Sequence, residues 1–470
     1  MQSSPDRLPE ELGMGPSVVP AGDDVSRAGS TKSSLRFAHL SDIHFRIQVG
    51  GDLWDENVDL RRELENDLRR VVGESGPLDG ILVTGDIAFS GETDEFEAAS
   101  EWLTLVAEIA QCAESEIWTV PGNHDVHRPD VAASPTIQDF HGRLRSIPRP
   151  DIDAELARYL VADKAGGEAF LAPLRKYVSF ATRYGCPVTP TKPYWEHTLP
   201  IRETGYFVRL RGMTTPLISD EHDDLDGGLL VLGSVQARME RRANTITFTL
   251  AHHPPAWLRD AEAVTELLRT RAQVQLWGHG HVQRLSHVDN SVHLYAGAVH
   301  PYRTELTWEP RYNVIEVCPV VASAQCRLTI QERIWRRQEA RFGPDLGFSG
   351  NPATTVTLGL ESMANLGYEE QGSILEPAAP EPARGAKRAL AYAFSSLPYQ
   401  RRLAVSRNLG LLDEASRDLT DQDLFEIVLA SAVRNGILSE LWDGVQKARE
   451  RPMGENPFRH TDDASIGTLE

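Results

Sequence analysis

The sequence is poor in cysteine and contains no long apolar run. Its four cysteines, Cys112, Cys186, Cys318 and Cys326, are scattered and form no Cys-x-x-Cys pair, so neither a zinc ribbon nor a disulfide framework is expected. A reduced, cytoplasmic protein fits this pattern best. No apolar stretch reaches the roughly 18 residues of a membrane-spanning helix, and residues 1–20 lack the apolar segment of a signal peptide.

Positive charge is also scarce, since 48 Lys and Arg face 68 Asp and Glu, which gives a formal net charge of −20. An acidic surface repels phosphate backbones, so broad, non-specific binding to nucleic acid is not expected. The length of 470 residues exceeds the roughly 250–300 residues at which single cores stop growing. We therefore expect one large domain and at least one smaller one.

Short apolar runs alternate with helical patterns over the first two thirds of the chain. Each run is apolar on successive positions, which is typical of strands buried on both faces. The runs are residues 35–40, 80–84, 117–120, 246–251 and 272–277. The alternation predicts an α/β domain whose helices cover a sheet. Residues 292–296, 312–318 and 326–332 have the pattern of additional antiparallel strands.

Changes in composition predict the domain boundaries. Residues 1–33 have the composition of a disordered leader, and residues 452–470 that of a disordered tail. The α/β domain is expected over residues 34–340, with residues 126–200 as an insertion and a candidate lid. Residues 341–385, which include PAAPEPARG, are interpreted as a linker, and whether its first part adds a strand is left open.

Residues 386–451 have helical punctuation and no strand pattern. Pro398 suits a first helical position, Gly410 and Gly436 suit helix ends, and Thr420 suits an N-cap. Apolar side chains recur at helical spacing after Thr420. A small all-α bundle is therefore expected at this end of the chain.

Strand-like runs lead directly into residues of the types that bind metals. The five segments concerned are SDIH (41–44), TGDIAFSG (84–91), PGNHD (121–125), AHHPP (251–255) and GHGH (278–281). Because ligands bind beyond the carboxyl ends of the strands in α/β sheets, these residues should converge in space. Mixed nitrogen and oxygen donors suit Mn, Fe, Zn, Co or Ni. Each segment alone is explained as well by a turn or a cap, whereas the set predicts one metal site.

In this order, the motifs D-x-H, GD, GNHD, H-x-P and GHxH resemble those of the calcineurin-like metallophosphoesterases over residues 35–338. The resemblance implies a layered β-sheet sandwich flanked by helices, with a centre of two divalent metal ions. It assigns one metal to Asp42, His44 and His281 and the other to Asn123, His252 and His279. By the same resemblance, Asp86 bridges the two metals.

The resemblance also gives His124 a catalytic role, either contact with the scissile phosphate or protonation of the leaving group. Two cations about 3.5–4 Å apart can clamp a phosphoryl group and acidify a bridging water, and an imidazole can assist departure of the leaving group. Asp125 is predicted to orient the His124 ring. The metal ligand of AHHPP is either His252 or His253, and the family pattern, with the ligand two residues before proline, favours His252.

Residues 397–445 resemble a bacterial effector-associated, death-like helical domain, on the strength of their apolar spacing, the LGLL segment and the LW pair. Such domains recruit a protein partner that carries a matching domain, often in bacterial conflict systems. The resemblance therefore implies an adaptor over residues 386–451. A helical cap that stabilises the enzyme or its dimer is the alternative.

Together these features predict a cytoplasmic, bacterial phosphoester hydrolase, by preference a phosphodiesterase, with a partner-recruiting domain. The segments GMTTPLISD (212–220) and GLLVLGSVQ (228–236) resemble cyclic-nucleotide-type phosphodiesterases, so a cyclic nucleotide or another phosphodiester is the expected substrate. Two alternatives are left open. One is a nuclease effector of a bacterial defence system, and the other is a non-enzymatic scaffold with a vestigial metal site.

Overall fold

The computed structural model describes nine stretches of the chain, which hold two β-sheets, the helices around them and a group of C-terminal helices. The described residues are 33–46, 57–162, 164–223, 229–301, 308–347, 350–361, 384–412, 421–449 and 456–458. Residues 1–32 and 459–470, on which the predicted leader and most of the predicted tail fall, lie outside them.

The described residues form thirteen strands, and five of these coincide to within two residues with the apolar runs of the sequence. The strands are β1 (Leu35–Leu40), β2 (Gly80–Thr84), β3 (Ile117–Val120), β4 (Tyr194–Ile201), β5 (Tyr206–Met213), β6 (Thr245–Ala251), β7 (Val274–Trp277), β8 (Arg284–Val288), β9 (Ser291–Tyr295), β10 (Arg311–Val320), β11 (Gln325–Arg336), β12 (Arg341–Pro344) and β13 (Thr354–Gly359). Every residue of β1, β2, β3, β6 and β7 is buried, which confirms strands that are covered on both faces.

Two sheets face each other across a common core. The first has the strand order β12-β11-β10-β1-β2-β3, with β13 also paired to β11, and the second has the order β4-β5-β6-β7-β9-β8. β1, β2 and β3 are parallel to one another in the first sheet, as are β5, β6 and β7 in the second. The rings of Phe37 on β1 and Phe248 on β6 lie 6.3 Å apart within one hydrophobic cluster. The predicted layered sandwich is confirmed.

Helices flank the sheets and then form a separate group at the C-terminal end. They are α1 (Val58–Ser75), α2 (Thr93–Ala110), α3 (Arg128–Ala133), α4 (Pro135–Ser146), α5 (Ile152–Val161), α6 (Lys164–Phe170), α7 (Arg175–Arg183), α8 (Ser234–Ala237), α9 (Ala261–Arg269), α10 (Arg384–Ser395), α11 (Tyr399–Asn408), α12 (Asp421–Arg434) and α13 (Leu438–Ala448). Within the stretches that the structure describes, none of these helices has both the length and the apolar character needed to cross a bilayer.

The strand predicted at residues 292–296 is antiparallel to only one of its two neighbours. β9 is antiparallel to β8, as predicted, but parallel to β7. It forms a hairpin with β8, and β8, which has an exposed pattern, takes the edge of the sheet. Because β8 takes the edge, β9 is the hairpin strand that pairs with β7, and it runs in the same direction as β7. The predicted antiparallel strands at 312–318 and 326–332 are present as β10 and β11.

The α/β domain extends beyond residue 340, its predicted end. Two strands within the predicted linker 341–385 pair with β11, namely β12 and β13. The composition concealed them because β12 has only four residues and includes Gly343 and Pro344. The first sheet therefore reaches Gly359, and the rest of the predicted linker falls largely on residues 362–383, outside the described part of the chain.

The predicted insertion, residues 126–200, contains α3 to α7 and most of β4. The helical part of the insertion ends at Arg183, and its last residues belong to the second sheet, where β4 is an edge strand. On α7, Tyr177 and Phe180 are buried in the core of the α/β domain, and the Tyr177 hydroxyl lies 3.1 Å from Thr119 Oγ1 on β3. This helix is thus part of the domain core and not a separate lid.

The C-terminal helices α10 to α13 enclose a second hydrophobic core, to which Leu390, Phe394 and Leu441 belong. Positive φ angles at Gly410 and Gly436 follow α11 and α12, as predicted for helix ends. Pro398 is the N-cap of α11 and not its first residue, and Thr420 lies outside the described residues. The predicted all-α bundle is confirmed.

Candidate metal centre

The five motifs meet where β1, β2, β3, β6 and β7 end. Backbone hydrogen bonds fix the first two loops to each other, since the amides of Asp42 and His44 donate to the carbonyls of Gly85 and Asp86, each at 3.0 Å. The carboxyl ends of parallel neighbours share one edge of a sheet, and this edge brings the loops together.

Five of the predicted ligands have a left-handed backbone. The φ angles are 54° at Asp42, 51° at His44, 52° at Asp86, 68° at His279 and 51° at His281. Such a conformation at a residue other than glycine costs on the order of 1–3 kcal/mol and occurs preferentially at functional sites. Side chains two residues apart project side by side along a strand, whereas the left-handed turns let them converge on one point.

The ligand atoms form overlapping groups. Within each group the atoms lie within 4.8 Å of one another, and the groups are Asp42–His44–His281, Asp42–Asp86–His252, His44–Asp86–His124 and His252–His253–His279. Asp86 and its neighbours connect the groups, because Asp86 Oδ2 lies 3.1 Å from His252 Nε2 and 4.0 Å from His44 Nε2. On one side, His281 Nε2 lies 3.2 Å from Asp42 Oδ1.

Asn123 occupies the opposite side of the cluster. Its Oδ1 lies 3.1 Å from His279 Nδ1 and 3.1 Å from His253 Nε2. The Trp257 ring packs edge-on against His279, with 4.1 Å between the ring centroids. The seven predicted ligands are thus brought to one place, and His253 joins them.

Buried atoms without hydrogen bonds indicate that these residues fit a metal. Asp42 and His252 are fully buried, and among the described residues neither carboxylate oxygen of Asp42 nor Nε2 of His252 makes a hydrogen bond of acceptable geometry. The ionisable atoms beside them are His281 Nε2 at 3.2 Å and Asp86 Oδ2 at 3.1 Å. Buried polar atoms are rarely left unsatisfied in this way. Carboxylate, imidazole and amide donors together suit borderline divalent transition metals.

Charge within the cluster supports the same conclusion. Burial lowers the pKa of His44 to about 3 and that of His279 to about 4, which leaves both rings in the neutral form that binds metals. Burial acts on His252 in the same direction, but Asp86 and Asp42 outweigh it and raise its pKa to about 9. The two carboxylates therefore create a site for a positive charge.

His252 and His253 both direct Nε2 into the cluster, and their other ring nitrogens have different partners. His252 Nδ1 donates to the Thr84 carbonyl at 2.7 Å, as ligand histidines commonly do, so Nε2 is the nitrogen that would bind a metal once it loses its proton. His253 Nδ1 lies 2.8 Å from Thr215 Oγ1. Thr215 is a member of the cluster that the sequence motifs did not identify.

His124 is partly accessible and is fixed at two points. Its backbone amide donates to Asp86 Oδ1 at 2.9 Å, and its Nδ1 donates to the Phe89 carbonyl at 2.7 Å. These two contacts fix the orientation of the ring, and Nε2 is the ring nitrogen on its other side. The Phe89 carbonyl holds the ring in the way predicted for Asp125.

Asp125 instead organises the loops. Its carboxylate accepts hydrogen bonds from the amides of Gly122, Ile87 and Ala88 at 2.8, 3.0 and 2.8 Å. Burial and the charge of Asp86 raise its pKa to about 8. Asp125 thus ties the GNHD loop to the loop after β2, and its predicted contact with the His124 ring gives way to this structural role.

Comparisons with known families agree with both parts of the chain. Residues 35–283, more than half of the 470 residues, match the family model of the calcineurin-like phosphoesterases. Residues 386–447 match the model of the GTPase-associated adaptor domain, in agreement with the predicted adaptor. The first match lies within the α/β domain, and the second lies within the group of C-terminal helices.

Individual relatives are distant. A stretch of 94 residues is 30% identical to the uncharacterized metallophosphoesterase-like protein YydB of Bacillus subtilis (strain 168), and it spans 20% of this chain and 18% of that protein. Vps29 of Chaetomium thermophilum is 10% identical, with a TM-score of 0.29, over 70% of this chain and 100% of that one. A putative 5'-nucleotidase from Staphylococcus aureus is 10% identical, with a TM-score of 0.33, over 70% of this chain and 55% of that one.

Proposed function

This chain belongs to the calcineurin-like phosphoesterase family, and we propose that it hydrolyses a phosphoester, by preference a phosphodiester, at a centre of two divalent metal ions. The observation that carries the proposal is the convergence of carboxylates, imidazoles and one amide at the shared strand edge, with ligand atoms in groups no wider than 4.8 Å. The metals are drawn from Mn, Fe, Zn, Co and Ni, which suit this donor set.

One metal would be held by Asp42, His44 and His281 and the other by Asn123, His252 and His279, with Asp86 as a ligand shared by both groups. The position of Asp86 supports this division, since its Oδ2 approaches both His44 and His252. When bound, two divalent ions supply positive charge to the phosphoryl oxygens and a nucleophilic water at neutral pH.

His253 positions Asn123 in this proposal and is not itself a ligand. The His253 amide donates to Thr215 Oγ1 at 3.2 Å, so the Thr215 hydroxyl proton is directed to Nδ1 of the same ring. Nδ1 then accepts, and Nε2 carries the proton and donates to Asn123 Oδ1. Burial lowers the pKa of His253 well below its usual value, in keeping with a neutral ring.

His124 is the proposed catalytic residue that contacts the substrate. With Nδ1–H held by the Phe89 carbonyl, Nε2 is the atom proposed to contact the scissile phosphate or to assist the leaving group. Its T-shaped contact with His44, at 4.8 Å between ring centroids, places it beside the ligands. Such groups typically contribute 10²–10⁴-fold to a rate.

The helical domain over residues 386–451 is proposed to recruit a protein partner in the cytoplasm. The name of its matching family, the GTPase-associated adaptor domain, suggests that the partner belongs to an assembly that contains a GTPase. Pull-down from the source cell with the native chain, compared with a chain that ends at residue 361, would test this. Recovery of the same GTPase-containing assembly by both chains would contradict the proposal.

The hydrolase is tested with bis-p-nitrophenyl phosphate and p-nitrophenyl phosphate, in Mn²⁺ or in a chelator. We expect metal-dependent cleavage of the diester by the native protein and a loss of at least 1000-fold in Asp86→Ala. Asp289→Ala, which changes an exposed carboxylate, is the matched control and should retain full activity. Absence of cleavage of both esters, with metal bound, would overturn the proposal.

A further inference from the structure

We propose that a cleft between the two domains binds a nucleotide-like ligand, in which phosphate groups are attached to an apolar or aromatic body. The cleft has a volume of about 1580 Å³, which exceeds the roughly 300–1,000 Å³ of typical ligand pockets. Its walls come from α2, from α6, α7 and the segment 185–197 that follows, and from residues 395–402 of the helical domain. It is separate from the metal centre, and the proposal does not depend on hydrolysis.

Positive charge is concentrated in this cleft. Six Lys or Arg side chains line it against three Glu, and the six are Lys164, Arg175, Lys176, Arg183, Lys192 and Arg402. In a chain of net charge −20, a local excess of cations is opposite to the overall balance. Clustered like charges repel one another, so a bound anion would stabilise this arrangement.

The acidic residues near the cleft neutralise only part of this excess. Glu168 lies 3.7 Å from Lys164 and Glu92 lies 2.6 Å from Lys176, whereas Glu196 pairs outside the cleft, with Arg211 at 3.2 Å and with Arg242 at 3.0 Å. Arg175 and Arg183 on α7 make no ion pair within the described residues, so their charges are available to a ligand.

The helical domain contributes an unsatisfied hydroxyl. Ser395 is 7% exposed and lines the cleft, yet its Oγ has no hydrogen-bond partner among the described residues. A buried polar atom without a partner costs roughly 1–3 kcal/mol and calls for an explanation such as a missing ligand. A phosphate or ribose oxygen in the cleft would supply that partner.

The ten-residue helix α11 begins at the same place. Leu397, Pro398 and Tyr399 line the cleft, so the first turn of α11 faces it, and helix N-termini attract anions through their dipole and free amides. Arg402, one turn further along, also lines the cleft although it is only 5% exposed. The hydroxyl, the helix end and the α7 arginines thus surround one space.

Apolar side chains account for the second part of the ligand. Val161, which is 59% exposed, and the partly exposed ring of Tyr399 line the cleft together with Pro187 and Pro190. A surface of this mixture suits a molecule with an aromatic body and an anionic group better than it suits a small inorganic anion.

The test is calorimetric titration of the full-length, metal-free protein in EDTA with ATP and with inorganic phosphate. We expect ATP to bind at least tenfold more tightly than phosphate. The double variant Arg175→Glu/Arg183→Glu should weaken ATP binding at least tenfold, and Ser395→Ala should weaken it several-fold. Arg269→Glu, an exposed charge reversal on α9 outside the cleft, is the matched control and should bind ATP like the native protein.

Asp86→Asn should also bind ATP normally, because it alters only the metal centre, and circular dichroism of each variant checks that the helices are retained. Three results would overturn the proposal: no binding of ATP at millimolar concentration, affinity unchanged in the double variant, or binding lost in Asp86→Asn. Phosphate that binds as tightly as ATP would overturn the nucleotide-like class of ligand. All of these outcomes are read without catalysis, so they do not depend on the proposed hydrolase.

Discussion

Two neighbouring histidines show how the surroundings of a side chain decide its role. Burial acts to lower the pKa of both rings. At His252 the charges of Asp86 and Asp42 outweigh it and raise the pKa to about 9. His253 faces other imidazoles, and its pKa falls well below the usual value. The carboxylates that favour a proton on His252 favour a metal ion there as well. Metal binding at His252 should therefore release a proton.

Substitution of each histidine should distinguish the metal ligand from the residue that positions a ligand. We expect His252→Ala to lose nearly all activity and to bind one metal fewer, because it removes a ligand. His253→Ala should keep both metals but weaken metal affinity about 10–100-fold, as loss of a group that orients a ligand commonly does. Metal content after dialysis and activity against Mn²⁺ concentration measure the difference. The reverse pattern would make His253 the ligand.

Motifs predict the candidate ligands but not the groups that support them. Asp42, Asp86 and His279 each follow a buried strand, so local sequence places them at a shared edge. Thr215 and the Phe89 carbonyl act across long sequence distances, through a hydroxyl and a backbone atom that many residues could supply. No spacing rule distinguishes such positions, and only the folded chain reveals them.

The loop after β3 must pass very close to the loop after β2. A Cβ at Gly122 would lie 2.6 Å from the backbone nitrogen of Asp86 and closer still to its side chain, so Gly122→Ala forces the two loops apart. We expect Gly122→Ala to lose metal binding and activity while the sheets stay folded. Gly142→Ala, at an exposed position on α4 with no atom within 4 Å, should keep full activity. Activity in Gly122→Ala equal to that of the control would show that the loops can shift without harm.

Helix α1 is anchored to the first sheet by a buried ion pair. Asp67 accepts from Arg333 on β11 at 2.6 and 2.8 Å and from the Tyr312 hydroxyl at 2.6 Å. Burial acts to raise the pKa of Asp67, but these hydrogen bonds outweigh it and lower the pKa. Removal of one partner of such a pair typically costs about 3–5 kcal/mol.

We therefore expect Asp67→Asn to lower the free energy of unfolding by about 3 kcal/mol at pH 7. Since the pKa is lowered in the folded state, the carboxylate stabilises the protein above the unfolded pKa, near 4, and that contribution is lost as the pH falls through the folded pKa. The difference from native should shrink below pH 4 in urea titrations. Asp59→Asn, exposed on the same helix, should change stability little, and a pH-independent difference would contradict the role of ionisation.

Apolar runs predict strands better than they predict pairing. Completely buried runs such as residues 80–84 have few alternatives, because a strand covered on both faces needs that pattern. The direction in which β9 pairs with β7 depends on which hairpin strand takes the edge, and local sequence does not encode that choice. The short β12 is concealed for a different reason, since a four-residue strand with Gly343 and Pro344 has the composition of a turn.

Across the whole chain, two hydrophobic cores meet at one helix. α10 packs against α7, where the rings of Tyr392 and Tyr184 lie 5.6 Å apart, while Leu390 and Phe394 on the same helix belong to the second core. Composition predicts both domains because each has its own core. Composition does not predict the contact between the two domains, because the side chains that make this contact are equally suited to either core.

Because every predicted ligand belongs to the α/β domain, we expect Mn²⁺ to raise the unfolding temperature of that domain alone. A ligand at 100 times its dissociation constant adds about 2.7 kcal/mol to the stability of the state that binds it. Calorimetry of the full-length protein in EDTA and in Mn²⁺ should resolve one transition that moves and one that does not. Asp86→Asn should abolish the shift. If both transitions move together in Mn²⁺, the two domains unfold as one cooperative unit that is held by the contact of α7 with α10. Metal binding in the α/β domain would then also stabilise the helical domain.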